Sequence, residues 1–203
     1  MGWREDSRRN DCKAGEGEGG PGVPADAVRL AAIATVAVFG LVVLWLTAAT
    51  GWHREKTISL HVASTPWTAA VFGVVDVAAA AILVAHTWTW LRPAAGLSVV
   101  TSVLITAVLA LLATTGVFPH TRGISARIHK RCAWAAAALV VVTAVVFAVD
   151  AWPGAPVWHR IVTVIFAAYA VFLTFWSKTT NLRRWFLYWE TGLFFGFYVV
   201  LVL

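Results

Sequence analysis

Six long apolar runs, separated by short polar clusters, organise the chain. The first extends from about Val28 to Thr50, broken only by Arg29 and threonines, and gives way to Gly51-Trp52-His53-Arg54-Glu55-Lys56. The second has Ser64 or Thr65 as a helix cap and Pro66 in the first turn, where its missing N–H costs nothing. It continues to Leu91, where Arg92-Pro93 is expected to stop it. A third run from about Gly96 to Phe118 ends at Pro119, and a fourth spans about Lys130 to Trp152 before the break at Trp152-Pro153-Gly154. The fifth runs from about Pro156 to Trp176, and the sixth from about Arg184 to Leu203. Each run is close to the ~20 residues that a helix needs to cross the hydrocarbon core. The pattern predicts an all-α polytopic transmembrane bundle of six spans.

Composition leads to the same fold class. Hydrophobic residues make up 60% of the 203 positions and charged residues 13%, against roughly 45–50% and 25% in soluble domains. A soluble core cannot hide that excess, and six spans leave no room for a separate soluble domain. Residues 1–27 are polar and Gly-rich and read as a disordered tail. The first apolar run has full span length, so it is expected to remain as a helix rather than serve as a cleaved leader. Cys12 and Cys132 have no spacing suited to a metal or a disulfide framework. Tryptophans near the run ends, Trp52, Trp67, Trp88, Trp90, Trp152, Trp158, Trp176 and Trp185 among them, fit interfacial belts.

Charge sets an expected orientation. Arg54, Lys56, Arg122, Arg127, Lys130, Arg131, Lys178, Arg183 and Arg184 fall on the first, third and fifth loops. The positive-inside rule places those loops in the cytoplasm and residues 1–27 outside. Helices two, four and six then begin on the basic side, with Lys130 and Arg131 at an N-terminus whose dipole they oppose. Anionic lipid headgroups would relieve that opposition, and Lys130, Arg131, Arg183 and Arg184 are the candidate contacts. Topology signal alone explains the same charges.

Asp76 lies ten residues beyond Pro66, roughly 15 Å deep and near the midplane. An ionised carboxylate there costs about 2.5 kcal/mol or more, so Asp76 should face the interior, either hydrogen-bonded to a neighbouring helix or acting as a proton or cation relay. Glu190, in the sixth run, is expected to pair with an interfacial Arg or Lys, a catalytic role being the other reading; Asp150 reads as an interfacial residue. His86 and His159 share a depth that would suit axial ligands of a b-type haem, although two interfacial histidines are ordinary. His53, His61, His120 and His129 gather on the other side without the i, i+4 spacing of a zinc pair, so neither a metal nor a cofactor is expected. Serines 59, 64 and 125 lack a nucleophile elbow, and no phosphate-binding loop is present. Because the cations are juxtamembrane, nucleic-acid binding is not expected.

Some short motifs remain: Thr57-Ile58-Ser59 after the first run, Trp67 at the start of the second, Phe118-Pro119 at the end of the third, and His129 before the Ala-rich fourth. In these the chain resembles the bacterial membrane family catalogued as domain of unknown function 998, related to the Frag/DRAM/Sfk group, over about residues 28–203. It departs at Leu182-Arg183-Arg184, where the family has a Leu-Glu-Arg-like element, and beside Ser59, where an acid is often found. The resemblance implies a six-helix bundle in the cell membrane, the bacterial inner membrane, with Thr57, Ile58, Ser59, Phe118, Pro119 and His129 as motif residues. It implies no common reaction; the eukaryotic relatives are associated with lipid handling, membrane organisation and autophagy. The expected function is a non-enzymatic bundle that contacts or organises lipid or a membrane partner. The alternatives are a proton- or cation-coupled carrier using Asp76 and Glu190, and a haem electron-transfer protein using His86 and His159.

Overall fold

The computed structural model describes residues 25–53, 56–120, 123–150, 156–176 and 185–203. Arg54, Arg122, Lys178, Arg183, Arg184, Cys12, the Trp152-Pro153-Gly154 break and residues 1–24 lie outside the described residues, and the expectations attached to them lie there too. Among the described residues every regular element is helical. The helices are α1 (Ala25–Ala49), α2 (Ile58–Val62), α3 (Pro66–His86), α4 (Arg92–Ala95), α5 (Val99–Val117), α6 (Gly123–Asp150), α7 (Val157–Trp176) and α8 (Phe186–Val202). A π-helical turn, Thr87–Leu91, joins α3 to α4.

Among the described residues, four segments are long and apolar enough to cross a membrane: Asp26–Ala49, Pro66–Ala95, Val99–Val117 and Gly123–Asp150. Val157–Leu173 and Leu187–Val202 form shorter apolar helices. The outward-facing positions are themselves apolar, with Leu41, Val74, Val100, Val149 and Ile165 all more than half exposed. Such a surface suits lipid rather than water, so this is the build of a helical membrane protein. Packing closes the bundle into a ring in which α1 touches α3, α3 touches α5, α5 touches α6, α6 touches α7, and α8 closes on both α7 and α1.

Thr65 caps α3 in a capping box with Thr68, and Pro66 occupies its first turn. The second run does not stop at Arg92-Pro93, as the sequence suggested. A proline inside a straight α-helix loses a bond and clashes with the carbonyl four residues back. Here the π turn re-registers the ladder, Arg92 N–H bonding to the Thr87 carbonyl, and the helix passes through Pro93 to end at Gly96 in the left-handed conformation (φ 67°).

The fourth helix begins at Gly123 (φ 71°), seven residues before Lys130. Lys130 and Arg131 therefore stand about 10 Å along α6, not at its N-terminus, and the expected opposition to the helix dipole does not arise. Their aliphatic stems let them continue a helix that buries His129 on its inner face. The Thr57-Ile58-Ser59 segment, expected as a loop, is instead the capped start of α2.

Buried hydroxyls are mostly satisfied within their own helices. Thr47 donates to Val43 O at 2.7 Å, Thr87 to Leu83 O at 2.7 Å and Thr163 to His159 O at 2.8 Å. A hydroxyl bonded to the carbonyl one turn back asks nothing of a neighbouring helix, so these residues enter the core at little cost.

Candidate functional site

The Thr57 hydroxyl caps α2, accepting from Leu60 N–H at 3.1 Å, and lies 2.8 Å from Ser59 Oγ. The capped turn directs Ile58 N–H inward, and the Glu190 carboxylate on α8 accepts from it at 2.5 Å. Glu190 is 8% exposed, and among the described residues that amide is its hydrogen-bond partner. The nearest candidates in sequence for the expected salt bridge, Arg54, Arg183 and Arg184, lie outside the described residues. The α8 helix starts at Phe186, so Glu190 sits in its second turn, facing the α2 amide.

His129 on α6 forms part of the same wall. Its Nδ1 faces the Thr115 carbonyl at 3.0 Å and the Phe118 carbonyl at 2.9 Å. Carbonyl oxygens only accept, so in the neutral ring Nδ1 carries the proton and Nε2 the lone pair. The Phe118-Pro119 break ends α5 where those carbonyls are free, which is why that short motif positions a histidine eleven residues later. His120 stacks edge-on against His129, with ring centroids 5.4 Å apart.

These groups line a cavity of about 740 Å³ walled by α1, α2, α3, α5, α6 and α8. Ser59, His129 and Glu190 stand at one end, Asp76 lines it deeper, and the rest of the wall is mainly apolar and aromatic. A second cavity, about 380 Å³, shares Ser59, His129, Ala133, Glu190 and Phe194 with the first and adds Thr57, His120 and Lys130. The polar group is thus shared by a large apolar chamber and a smaller, more polar one.

The large chamber has a side window between α1 and α8. On α1 its lip carries Leu41 and Leu44, 65% and 53% exposed; on α8 it carries Tyr188 and Thr191. At one end Trp52 Nε1–H donates to Tyr188 Oη at 3.1 Å. At the other, Gly40 lies so close to Phe195 that a Cβ there would sit 2.9 Å from the ring. Tyr188 and Phe195 are seven residues apart, so the window is about 10 Å long along α8.

Asp76 is 2% exposed and accepts from Tyr198 Oη–H at 3.2 Å. Tyr198 lies eight residues after Glu190, on the same side of α8. Sequence reading did not single it out, because Tyr188 and Thr191 offer hydroxyls in the same helix and nothing local marks the one that meets Asp76. No family model, curated protein or solved structure matches the chain.

The remaining candidates lie elsewhere. Lys130 is exposed at the smaller cavity and Arg131 is exposed on α6, while Arg183 and Arg184 lie outside the described residues. Asp150 accepts from Ser98 N–H and from the Thr101 hydroxyl, tying the end of α6 to the start of α5. His86 and His159 are both buried, at 0% and 4% exposed. His86 Nε2 faces the Leu201 carbonyl at 3.1 Å and its ring stacks on Trp90. The nitrogen that would ordinarily ligate a haem is therefore occupied by α8. Among the described residues no group of three or more His, Cys, Asp or Glu is placed to hold a metal.

Proposed function

We propose that the chain crosses the cell membrane six times, with α7 and α8 as the fifth and sixth spans, and works as a non-enzymatic bundle that draws an amphiphilic membrane molecule into the large cavity. The observation that carries this reading is the window: an apolar chamber that opens sideways between two lipid-facing helices and ends on a polar wall. A guest entering from the bilayer keeps its apolar part in an apolar medium throughout and exchanges only the surroundings of its polar part. Asp76 and Glu190 in one chamber favour a carrier as the second reading, since exchangeable acids inside a membrane are the usual means of coupling.

The reading also places the chain beside the unknown-function family. In support, Ile58 bonds Glu190, Ser59 and His129 line both cavities, and Phe118 holds His129. In the bacterial inner membrane, Lys130 and Arg131, with Arg183 and Arg184, would meet anionic headgroups on the cytoplasmic side.

A neutral lipophilic dye should bind the purified protein saturably at one site. Thr191→Trp, on the partly exposed lip of the window, should weaken that binding at least tenfold while leaving thermal stability unchanged, and Leu44→Trp should act in the same way. Dye binding indifferent to both substitutions would remove the reading. For orientation, cysteines placed at Ser59 and His120 should be labelled from the cytoplasmic face. Labelling of both from the outside alone would invert the topology.

A further inference from the structure

We infer that the guest of the large cavity is a lipid alcohol, an apolar body ending in a hydroxyl that donates to His129 Nε2. This rests on the reading of the cavity as a binding chamber and adds the chemistry of the guest's polar end. His129 Nδ1–H donates to Thr115 O at 3.0 Å and to Phe118 O at 2.9 Å, so the proton of the neutral ring is held on that side and Nε2 carries the lone pair. The two nitrogens diverge across the ring, and Nε2 therefore points away from the end of α5. His129 lines both cavities. Among the described residues Nε2 takes no hydrogen bond, and unlike His86 Nδ1 and His159 Nε2 it is not sealed off by protein atoms. It is a fixed acceptor at the polar end of an apolar chamber.

A donor stands at the same end. Thr57 Oγ1 and Ser59 Oγ lie 2.8 Å apart and share a hydrogen bond, while Thr57 Oγ1 also accepts from Leu60 N–H at 3.1 Å. Two hydroxyls joined by one bond keep one O–H to give. Ser59 lines both cavities and Thr57 the smaller, so that O–H belongs to the wall that holds His129.

A hydroxyl is the smallest group that answers both, giving its proton to Nε2 and accepting from the α2 hydroxyl. An ester, ether or ketone accepts but has no proton to give, and it leaves the imidazole nitrogen unmatched in an enclosed site. Glu190 accepts from Ile58 N–H in either protonation state, so the match needs no charge there. Deeper in, Tyr198 Oη–H donates to Asp76 at 3.2 Å, and that acid is already served. The remaining wall, Phe39, Phe72, Leu112, Phe194 and Phe195 among it, suits an apolar body.

Oleyl alcohol and oleyl methyl ether share a chain and an oxygen acceptor and differ in the O–H. Each is titrated against the bound neutral dye on the full chain in neutral detergent. The ratio of their potencies is read in the wild-type and His129→Asn proteins, and comparing the two ratios cancels micelle partition. Asparagine sets an amide N–H near where Nδ1–H stood, facing Thr115 and Phe118, and places nothing at Nε2. The wild-type ratio should exceed that of His129→Asn by roughly fivefold or more in favour of the alcohol, the worth of one hydrogen bond. A second measurement is independent of how the variant folds. Nitrogen NMR of the wild-type protein with isotope-labelled histidine should show an unprotonated ring nitrogen moving upfield with the alcohol and staying still with the ether. Equal ratios in the two folded proteins, or histidine nitrogens as indifferent to the alcohol as to the ether, overturn the inference and leave the binding chamber standing. If the dye itself does not bind, the chamber reading falls and the inference with it.

Discussion

Gly73→Val is expected to cost more than about 3 kcal/mol and to leave little folded protein, beyond the usual 1–3 kcal/mol of core overpacking. Gly73 on α3 faces Gly116 on α5, and a Cβ at Gly73 would stand 2.7 Å from the Gly116 carbonyl oxygen and 3.3 Å from its carbon. Those are backbone atoms, so no rotamer change relieves the overlap and two helices must separate. Asp76 sits against the same seam, its Oδ2 only 2.8 Å from where a Cβ on Gly116 would be. Separation would therefore move the acid as well. Gly192 is the control: a Cβ there meets the far end of the Tyr169 side chain, which is partly exposed and free to swing. Gly192→Ala should cost no more than about 1 kcal/mol. Thermal unfolding in detergent compares the three proteins, and a Gly73→Val protein as stable as Gly192→Ala would show that α3 and α5 do not meet at this point.

Asp76→Leu should destabilise the bundle by roughly 1–3 kcal/mol through the unpaired Tyr198 hydroxyl. Tyr198 is 1% exposed, so without Asp76 its hydroxyl has no water to turn to. Asp76→Asn keeps the shape and an acceptor and should stay within about 1 kcal/mol of wild type. Tyr198→Phe should cost about as much as losing one buried bond, and combining it with Asp76→Leu should be less than additive, since each change removes that same bond. An additive pair would mean that the contact contributes nothing. The same Asn protein separates binding from coupling. If it folds, binds the dye and still loses transport or growth activity, Asp76 exchanges a proton and the carrier reading takes first place.

The membrane helices, the caps at Thr65 and Pro66 and the stop at Phe118-Pro119 were legible because they depend on local chemistry: apolar length, a hydroxyl before a helix, a proline after one. Asp76 and Glu190 stood out for a similar reason, since a carboxylate in an apolar run is conspicuous whatever surrounds it. The start of α6 at Gly123 and the passage through Pro93 were not legible. Basic side chains can continue a helix with their charges held outward, and a π turn depends on packing rather than on any residue type. Partners were hidden altogether. Glu190 was expected to seek an Arg or Lys because a buried charge needs a partner, and that the Ile58 amide serves it depends on how α2 lies across α8. That Asp76 and Glu190 share one chamber, that Tyr198 bonds the first of them, and that the chamber opens between α1 and α8 are relations among segments more than a hundred residues apart. The sequence by itself determined which groups are too polar for their surroundings; only the tertiary structure decided what each one faces, because that choice lies in the packing of whole helices and leaves no local trace.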